Sequence, residues 1–323
     1  MKDEVLVLGG GVIGLATAVE LAERGHRVRV WAREPAVETV SAVAGALWWP
    51  YRIDPEELVG EWALASLRVY ERMAAAGVDE GVRMVPGVHA EVSLAGLGPW
   101  AARVAELREA TPQELPAGVP SGLRARLPLV DMPVHLRALE RRLAAAGGTV
   151  ERRAADSLSG AAADTGAAVV VNCTGLGARE LVPDPGMLPV RGVLVLVENP
   201  GVTEWFTAAD AARDETTYLF PQPGRLILGG TAQAGAESLV ADPAEAAAIV
   251  ARCARVHPAV AGARVLGYRV GLRPYRAGGV RLAAERLPGG GVPVVHNYGH
   301  GGAGVTVAWG CAKAAADLVD ALG

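Results

Sequence analysis

The chain has 323 residues, 51% hydrophobic and 20% charged, which is enough for a sizeable core in two domains or in one with a large insertion. A formal net charge of −4 supplies no basic field for nucleic acid or acidic lipid, and no apolar run approaches the roughly 20 residues that a membrane-spanning helix needs. Widely spaced Cys173, Cys253 and Cys311 suit a reduced interior, and the first strand follows Met1 closely without a secretory leader, so a cytoplasmic protein is expected.

Val5-Leu6-Val7-Leu8 is an apolar strand that runs straight into Gly9-Gly10-Gly11-Val12-Ile13-Gly14. Gly9, Gly11 and Gly14 fit G-x-G-x-x-G, and Leu15, Ala16, Val19 and Ala22 keep helical spacing until Gly25, a natural helix-ending glycine. A second strand, Val28 to Trp31, leads to Arg33-Glu34. Strand, glycine turn, helix, strand and acid are the parts of a dinucleotide site. The turn brings backbone close to a pyrophosphate, and the acid meets a ribose. This pattern does not choose between FAD and NAD.

Asp54-Pro55-Glu56-Glu57 reads as a helix start, with Asp54 as N-cap, Pro55 at N1 and Glu57 at N3, for a helix that stops at Gly77. Residues 78–130 read as short strands and loops around one helix near Ala101–Glu109. A helix over Pro133–Ala146 precedes strands at Thr149–Arg153 and Ala167–Cys173. The β-rich stretches 190–197, 217–220 and 225–229 lack intervening helices and predict a largely antiparallel sheet. A helix at Pro243–Val256 and a strand at Val265–Val270 follow. Near the end, a short apolar strand that starts at Val294-Val295 runs into a loop with glycines at 299, 301, 302 and 304, and a helix begins near Val305. Such a loop lets backbone approach a ligand and adopt positive φ, while the helix dipole favours an anionic ring.

Four segments carry a family resemblance: VLVLGGGVIGL at the start, AGALWWPY at 44–51, VVVNCTGLGARELVPD at 169–184, and VGLRPYR with HNYGHGGAGVTVAWG. In order and spread along the whole chain, they resemble the D-amino-acid oxidase family of FAD-dependent amine oxidases. The resemblance implies an α/β fold, with a discontinuous Rossmann-like FAD-binding domain (residues 1–72, 131–182 and 282–323). A mixed, largely antiparallel β substrate-binding domain (73–130 and 183–281) would be inserted into it.

The resemblance also implies roles. Arg273 would clamp the substrate carboxylate, a task suited to a planar, permanently charged fork, where an arginine otherwise most often makes a salt bridge. Tyr218 would help through its hydroxyl, and the Gly302 carbonyl would accept from the substrate amine. Leu47, Trp49 and Phe220 would line the side-chain pocket, favouring neutral, apolar D-amino acids. For FAD, Gly9, Gly11, Val12, Ile13 and Gly14 are expected at the pyrophosphate, and Arg33 and Glu34 at the adenosine. Ala154 is expected at the adenine, and Thr39, Gly45, Ala46 and Leu47 along the flavin. Thr174, Gly175 and Arg273 are expected beside the cofactor, with Gly301, Gly302, Gly304, Val305 and Thr306 at the pyrimidine edge.

Two positions depart from the family pattern: Asp214 stands where some members carry a lid tyrosine, and Ala303 replaces another tyrosine. His296 and His300 are four apart, but the glycines around them indicate a loop with structural histidines, so no metal is expected. Asn172-Cys173-Thr174 matches a glycosylation sequon at what should be a buried strand end. The implied reaction is hydride transfer from substrate Cα to flavin N5, with imino-acid hydrolysis to a 2-oxo acid and ammonia, and reoxidation by O2 to H2O2. The implied partners are a D-amino acid and O2, and a homodimer is left open. A D-aspartate or glycine oxidase is the near alternative, although an acidic substrate would need a second cation. An NAD-dependent dehydrogenase would leave GxRP and HNYGHGGAG unexplained, and a non-catalytic FAD-binding protein would bind flavin without turnover.

Overall fold

A computed structural model describes residues 4–50, 53–210, 215–287 and 291–322. The chain opens with β1 (Glu4–Leu8), α1 (Val12–Glu23) and β2 (Arg27–Ala32). Val5 to Leu8 are all buried, because β1 is central and covered on both faces, which is why the strand is a continuous apolar run. Gly25 turns the chain after α1 with φ 91°. A single turn, α2 (Val40–Val43), precedes α3 (Glu56–Ala75).

Helix α3 differs at its start from the expected cap. Pro55 is its N-cap residue and no side chain caps it. The Asp54 carbonyl instead accepts from the Val280 N–H at 2.9 Å, so a tertiary backbone bond holds Asp54 outside the helix. The helix runs through residue 72, one of the expected domain boundaries.

Strands β3 (Val82–Ala90), β4 (Arg108–Glu109) and β5 (Gly122–Val130) follow. The helix expected over Ala101–Glu109 does not form. Pro99–Arg103 make a 3₁₀ turn, and Arg108–Glu109 pair with Leu123–Arg124 of β5. The turn buries Trp100 edge-on against Trp48 and Trp49, with ring centroids 5.9 and 5.4 Å away. Burying that large ring outweighs the weak helical periodicity around it.

Next come α4 (Met132–Ala145), β6 (Thr149–Arg152), α5 (Leu158–Thr165), β7 (Val169–Asn172) and α6 (Ala178–Leu181). Sequence reading missed α5, although Ser157 caps it by accepting from Gly160 N–H and Gly166 ends it at φ 69°. The remainder is β8 (Met187–Val197), β9 (Trp205–Asp210), β10 (Glu215–Gln222), β11 (Arg225–Thr231), β12 (Gln233–Ala234), α7 (Pro243–Val256), β13 (Val265–Arg276), β14 (Arg281–Arg286), β15 (Pro293–Tyr298) and α8 (Gly304–Asp320).

Two sheets result. The first has the order β14-β15-β7-β1-β2-β6, with only β14 antiparallel. The second has the order β12-β8-β11-β10-β9-β3-β5-β4, with β13 also paired to β8, and is antiparallel except between β3 and β9. Strand β13 extends six residues past its expected end at Val270, so Gly271-Leu272-Arg273-Pro274 lies within a strand and Arg273 sits opposite Val190. Helix α8 is anchored on α3, where Tyr70 Oη donates to the Val305 carbonyl and Gly310 N–H donates to Ser66 Oγ, each at 2.9 Å. Among the described residues, no helix is long and apolar enough to cross a membrane.

Candidate active site

A cavity of about 1270 Å³ is lined from both sheets, more than the several hundred Å³ typical of a single small ligand. Its first end is built by the β1–α1 turn. Gly9 takes φ 115°, and a Cβ there would overlap the Cys173 carbonyl. A Cβ on Gly11 would come within 2.9 Å of Ser41 Oγ, which accepts from Val12 N–H at 3.0 Å. Gly11, Val12 and Ile13 bring the α1 N-terminus to the cavity wall, with Ser41 taking the Val12 N–H, a setting that suits an anionic ligand. Gly14 alone among the expected cofactor residues does not line the cavity; its Cβ would overlap the Gly9 carbonyl, so it serves helix–strand packing.

Arg33, Glu34 and Ala154 line the same end, beside Trp31, whose ring carries the Arg153 guanidinium at 3.9 Å from its centroid. Thr39, Gly45, Ala46, Leu47, Thr174 and Gly175 line the middle and the adjoining wall. Ala46 has φ 61°, a costly angle for a residue with a Cβ. It is enforced by backbone bonds on either side, from Val130 N–H to the Ala46 carbonyl and from Trp48 N–H to the Pro128 carbonyl. A glycine-lined cradle with a helix N-terminus at one end, and room for a ring system beyond it, fits FAD.

The second end belongs to the larger sheet. Arg273, Tyr218, Phe220, Leu47 and Trp49 all line it. Arg273 Nη1 donates to the Thr231 carbonyl at 2.9 Å, and the guanidinium also bonds the Tyr218 hydroxyl. Among the described residues no carboxylate pairs with Arg273. Burial pushes the Tyr218 phenol up, against the opposing pull of the Arg273 charge, so the hydroxyl stays a neutral donor. Tyr218 stacks on Phe220 at 4.5 Å and 12°. A partly buried cation and a hydroxyl, converging on an otherwise apolar wall, are what a monocarboxylate ligand needs.

The third wall is the loop before α8. Gly299 and Gly301 carry positive φ, 90° and 53°; among the described residues Gly302 is not one of the left-handed positions. Gly301 N–H donates to the Pro274 carbonyl at 2.9 Å, tying the loop to the residue after Arg273. Gly301, Gly302, Gly304, Val305 and Thr306 line the cavity, and Thr306 Oγ1 donates to the Trp49 carbonyl at 2.9 Å. His300 is buried, and burial pushes it down to about 3, so it is a neutral structural residue. His296 is also buried. Asn172 Nδ2 donates to His296 Nδ1 at 3.3 Å, so His296 Nε2 carries the proton and donates to Glu285 at 3.0 Å. Asn172 is itself fully buried, and its Oδ1 accepts from the Thr174 hydroxyl at 2.7 Å. Asp214, at the expected lid position, lies outside the described residues, as does Tyr51.

Sequence reading missed several residues here. Gly192 and Gly229 lie directly beneath the Arg273 guanidinium and the Tyr218 ring, so a Cβ on either would overlap them. Their only sequence signal is a glycine inside a strand, which marks close approach without naming what approaches. Ser41, Thr207 and His89 line the cavity and carry no motif at all.

A sequence profile described as FAD dependent oxidoreductase (DAO) matches residues 4–318. D-amino-acid oxidase from Streptomyces coelicolor is 61% identical over 316 residues, covering 98% of this chain and 96% of that one. Human D-aspartate oxidase is 34% identical over 330 residues, covering 98% and 94%. Among solved structures, glycine oxidase from Geobacillus kaustophilus superposes with a TM-score of 0.83 at 22% identity, covering 99% of this chain and 95% of that one, which is a likeness of fold. With a profile match across nearly its full length and relatives this similar, the chain belongs to the FAD-dependent oxidoreductase family.

Proposed function

We propose that this protein is a D-amino-acid oxidase that uses FAD to deaminate neutral, apolar D-amino acids to 2-oxo acids and ammonia, with O2 reduced to H2O2. The observation that carries the reading is the Arg273 guanidinium, half-buried, facing the cavity and free of any carboxylate partner among the described residues. The 61% identity to the Streptomyces coelicolor enzyme supports it. When bound, FAD supplies the hydride acceptor and the route to O2.

The chain supplies placement. Gly9, Gly11, Val12 and Ile13 hold the pyrophosphate at the α1 N-terminus, with Gly14 keeping that helix close, and Arg33, Glu34 and Ala154 meet the adenosine. Thr39, Gly45 to Leu47, Thr174 and Gly175 follow the flavin. Gly301, Gly302, Gly304, Val305 and Thr306 present backbone and the α8 N-terminus to its pyrimidine edge. Arg273 and Tyr218 fix the substrate carboxylate, and the Gly302 carbonyl accepts from the neutral amine. These contacts choose which Cα hydrogen faces the flavin and so select the D configuration. Leu47, Trp49 and Phe220 receive the side chain.

Arg33 and Arg153 line the nucleotide end, whereas Arg273 is the cation of the substrate end among the described residues. A D-dicarboxylate would therefore lack a partner for its second charge, which favours neutral substrates over D-aspartate. The reading assigns residues 1–72, 131–182 and 282–323 to the FAD-binding domain, and 73–130 and 183–281 to the substrate-binding domain. Three buried free cysteines suit a cytoplasmic location.

The test is flavin absorbance before and after anaerobic D-alanine or D-valine. Bleaching by these, and not by their L-enantiomers, is expected; a colourless protein, or one that no D-amino acid bleaches, would sink the reading. Arg273→Ala should keep its flavin and lose at least about a hundredfold in kcat/KM.

A further inference from the structure

The substrate-end floor of the cavity is one row across the larger sheet. His89 of β3 pairs with Thr207 of β9, Thr207 pairs with Tyr218 of β10, and Tyr218 pairs with Gly229 of β11. Laterally paired residues point to the same face of a sheet, and His89, Thr207 and Tyr218 all line the cavity. The Tyr218 ring lies over Gly229 of β11 and the Arg273 guanidinium over Gly192 of β8, so three to four strand spacings, about 14 to 19 Å at the backbone, separate His89 from these groups. A ligand held by its carboxylate at Arg273 and Tyr218 therefore reaches His89 only with an extended side chain laid along the row, past Thr207.

The chemistry of His89 is fixed by its surroundings. Its ring is buried, 6% exposed, and lies against Trp49 with centroids 4.7 Å apart at 43°. Nδ1 is 3.2 Å from the Ala90 carbonyl. A carbonyl can only accept, so Nδ1 bears the proton and Nε2 of the neutral ring is a lone-pair acceptor. Among the described residues Nε2 has no hydrogen-bond partner, and it is not sealed from solvent. Burial also holds the imidazole below its ordinary titration range, which keeps it neutral. In a wall shared with Leu47, Trp49, Phe220 and Thr207, it is an acceptor waiting for a donor.

We propose that His89 is a specificity-determining residue whose Nε2 accepts a hydrogen bond from the substrate side chain. It raises the use of neutral D-amino acids bearing an amide or hydroxyl donor relative to hydrocarbon isosteres, and it disfavours side-chain carboxylates, which offer only further acceptors. The assignment rests on the function proposed above and names a determinant of that same site.

Near-isosteric pairs test it: D-glutamine against D-methionine, and D-asparagine against D-leucine, each compared by kcat/KM. His89→Leu should lower both polar-to-apolar ratios by about five- to tenfold, the worth of one hydrogen bond, with the D-methionine and D-leucine rates changing less than those of their polar partners. His89→Gln, whose amide oxygen accepts, should restore them. Binding gives a second readout without turnover, from the dissociation constants of succinamic acid and 4-methylpentanoic acid read by perturbation of the flavin spectrum. Their ratio should move by the same factor. His89→Phe, which keeps a ring against Trp49, replaces the leucine variant if that one does not fold. Ratios unchanged in these variants, or both members of each pair falling together, would overturn the proposal, since His89 would then only support Trp49. A wild-type protein that no D-amino acid bleaches would instead overturn the function itself.

Discussion

A methyl group on Gly192 would overlap the guanidinium of Arg273, and one on Gly229 would overlap the Tyr218 ring, so two glycines make room for the groups proposed to bind the carboxylate. Gly192→Ala should push the guanidinium off the Thr231 carbonyl that now orients it. Displacements of this size cost on the order of a hundredfold in rate. We expect kcat/KM for D-alanine to fall by about that factor, with flavin content per chain unchanged. A Gly192→Ala enzyme of wild-type activity would show that Arg273 tolerates another position. Away from the site, His135 is fully buried, with Nδ1 on the Glu80 carbonyl at 3.0 Å, and burial pushes it down to about 4. Its value in the unfolded chain is the ordinary 6.5. As pH falls below that value the unfolded chain takes up a proton that the native state refuses. The stability is therefore complete above pH 6.5 and is lost progressively towards about pH 4, by up to about 1.4 kcal/mol per pH unit. His300, held down to about 3, acts in the same direction. In His135→Phe the thermal midpoint should fall less steeply between pH 7.5 and 5 than in wild type, and equal slopes would contradict the assignment.

Helix α1 can deliver its N-terminus to the cavity only because Gly14 lets it lie against β1; a Cβ there would overlap the Gly9 carbonyl and approach Cys173 Cβ at 3.4 Å. Gly14→Val should therefore separate helix from strand and misplace the N–H groups meant for the pyrophosphate. The expected result is purified protein with little or no flavin, measured by the ratio of flavin to protein absorbance, and full flavin content in a folded variant would refute it. This element was legible in the sequence because all its constraints are local: three glycines at fixed spacing, then helical periodicity, then a strand. Elements decided by distant partners were not legible. Asp54 lost its cap role to Val280, and Arg108–Glu109 became a strand because β5 offers them an edge while Trp100 fills a space beside Trp48 and Trp49. The same limit applies within the site. Arg273 and Tyr218 stand in recognisable strings, but the glycines beneath them and His89 beside Trp49 acquire meaning only when the strands are laid side by side.

At the scale of the whole molecule, the cavity has one end built by the parallel sheet, proposed for the nucleotide, and another built by the antiparallel sheet, proposed for the substrate, joined by the loop before α8. That loop continues from β15 of the parallel sheet and is fastened to the other side. Gly301 N–H bonds the Pro274 carbonyl, His300 bridges Tyr275, and Thr306 holds Trp49. Its left-handed angles fall at Gly299 and Gly301, whereas Gly302 borders the cavity and is not among them. A valine there should fill substrate space while leaving the loop's own hydrogen bonds and the distant Gly9–Gly14 turn intact. Gly302→Val is thus expected to purify yellow, with wild-type flavin content, yet to be reduced by D-alanine or D-valine at least about a hundredfold more slowly under anaerobic conditions. Set beside Gly14→Val, it should separate the two ends: one variant without flavin, the other with flavin and without turnover. Loss of flavin from Gly302→Val would show that the loop holds the cofactor as strongly as the glycine turn does. Wild-type reduction in a folded Gly302→Val protein would show that the substrate does not approach this backbone at all.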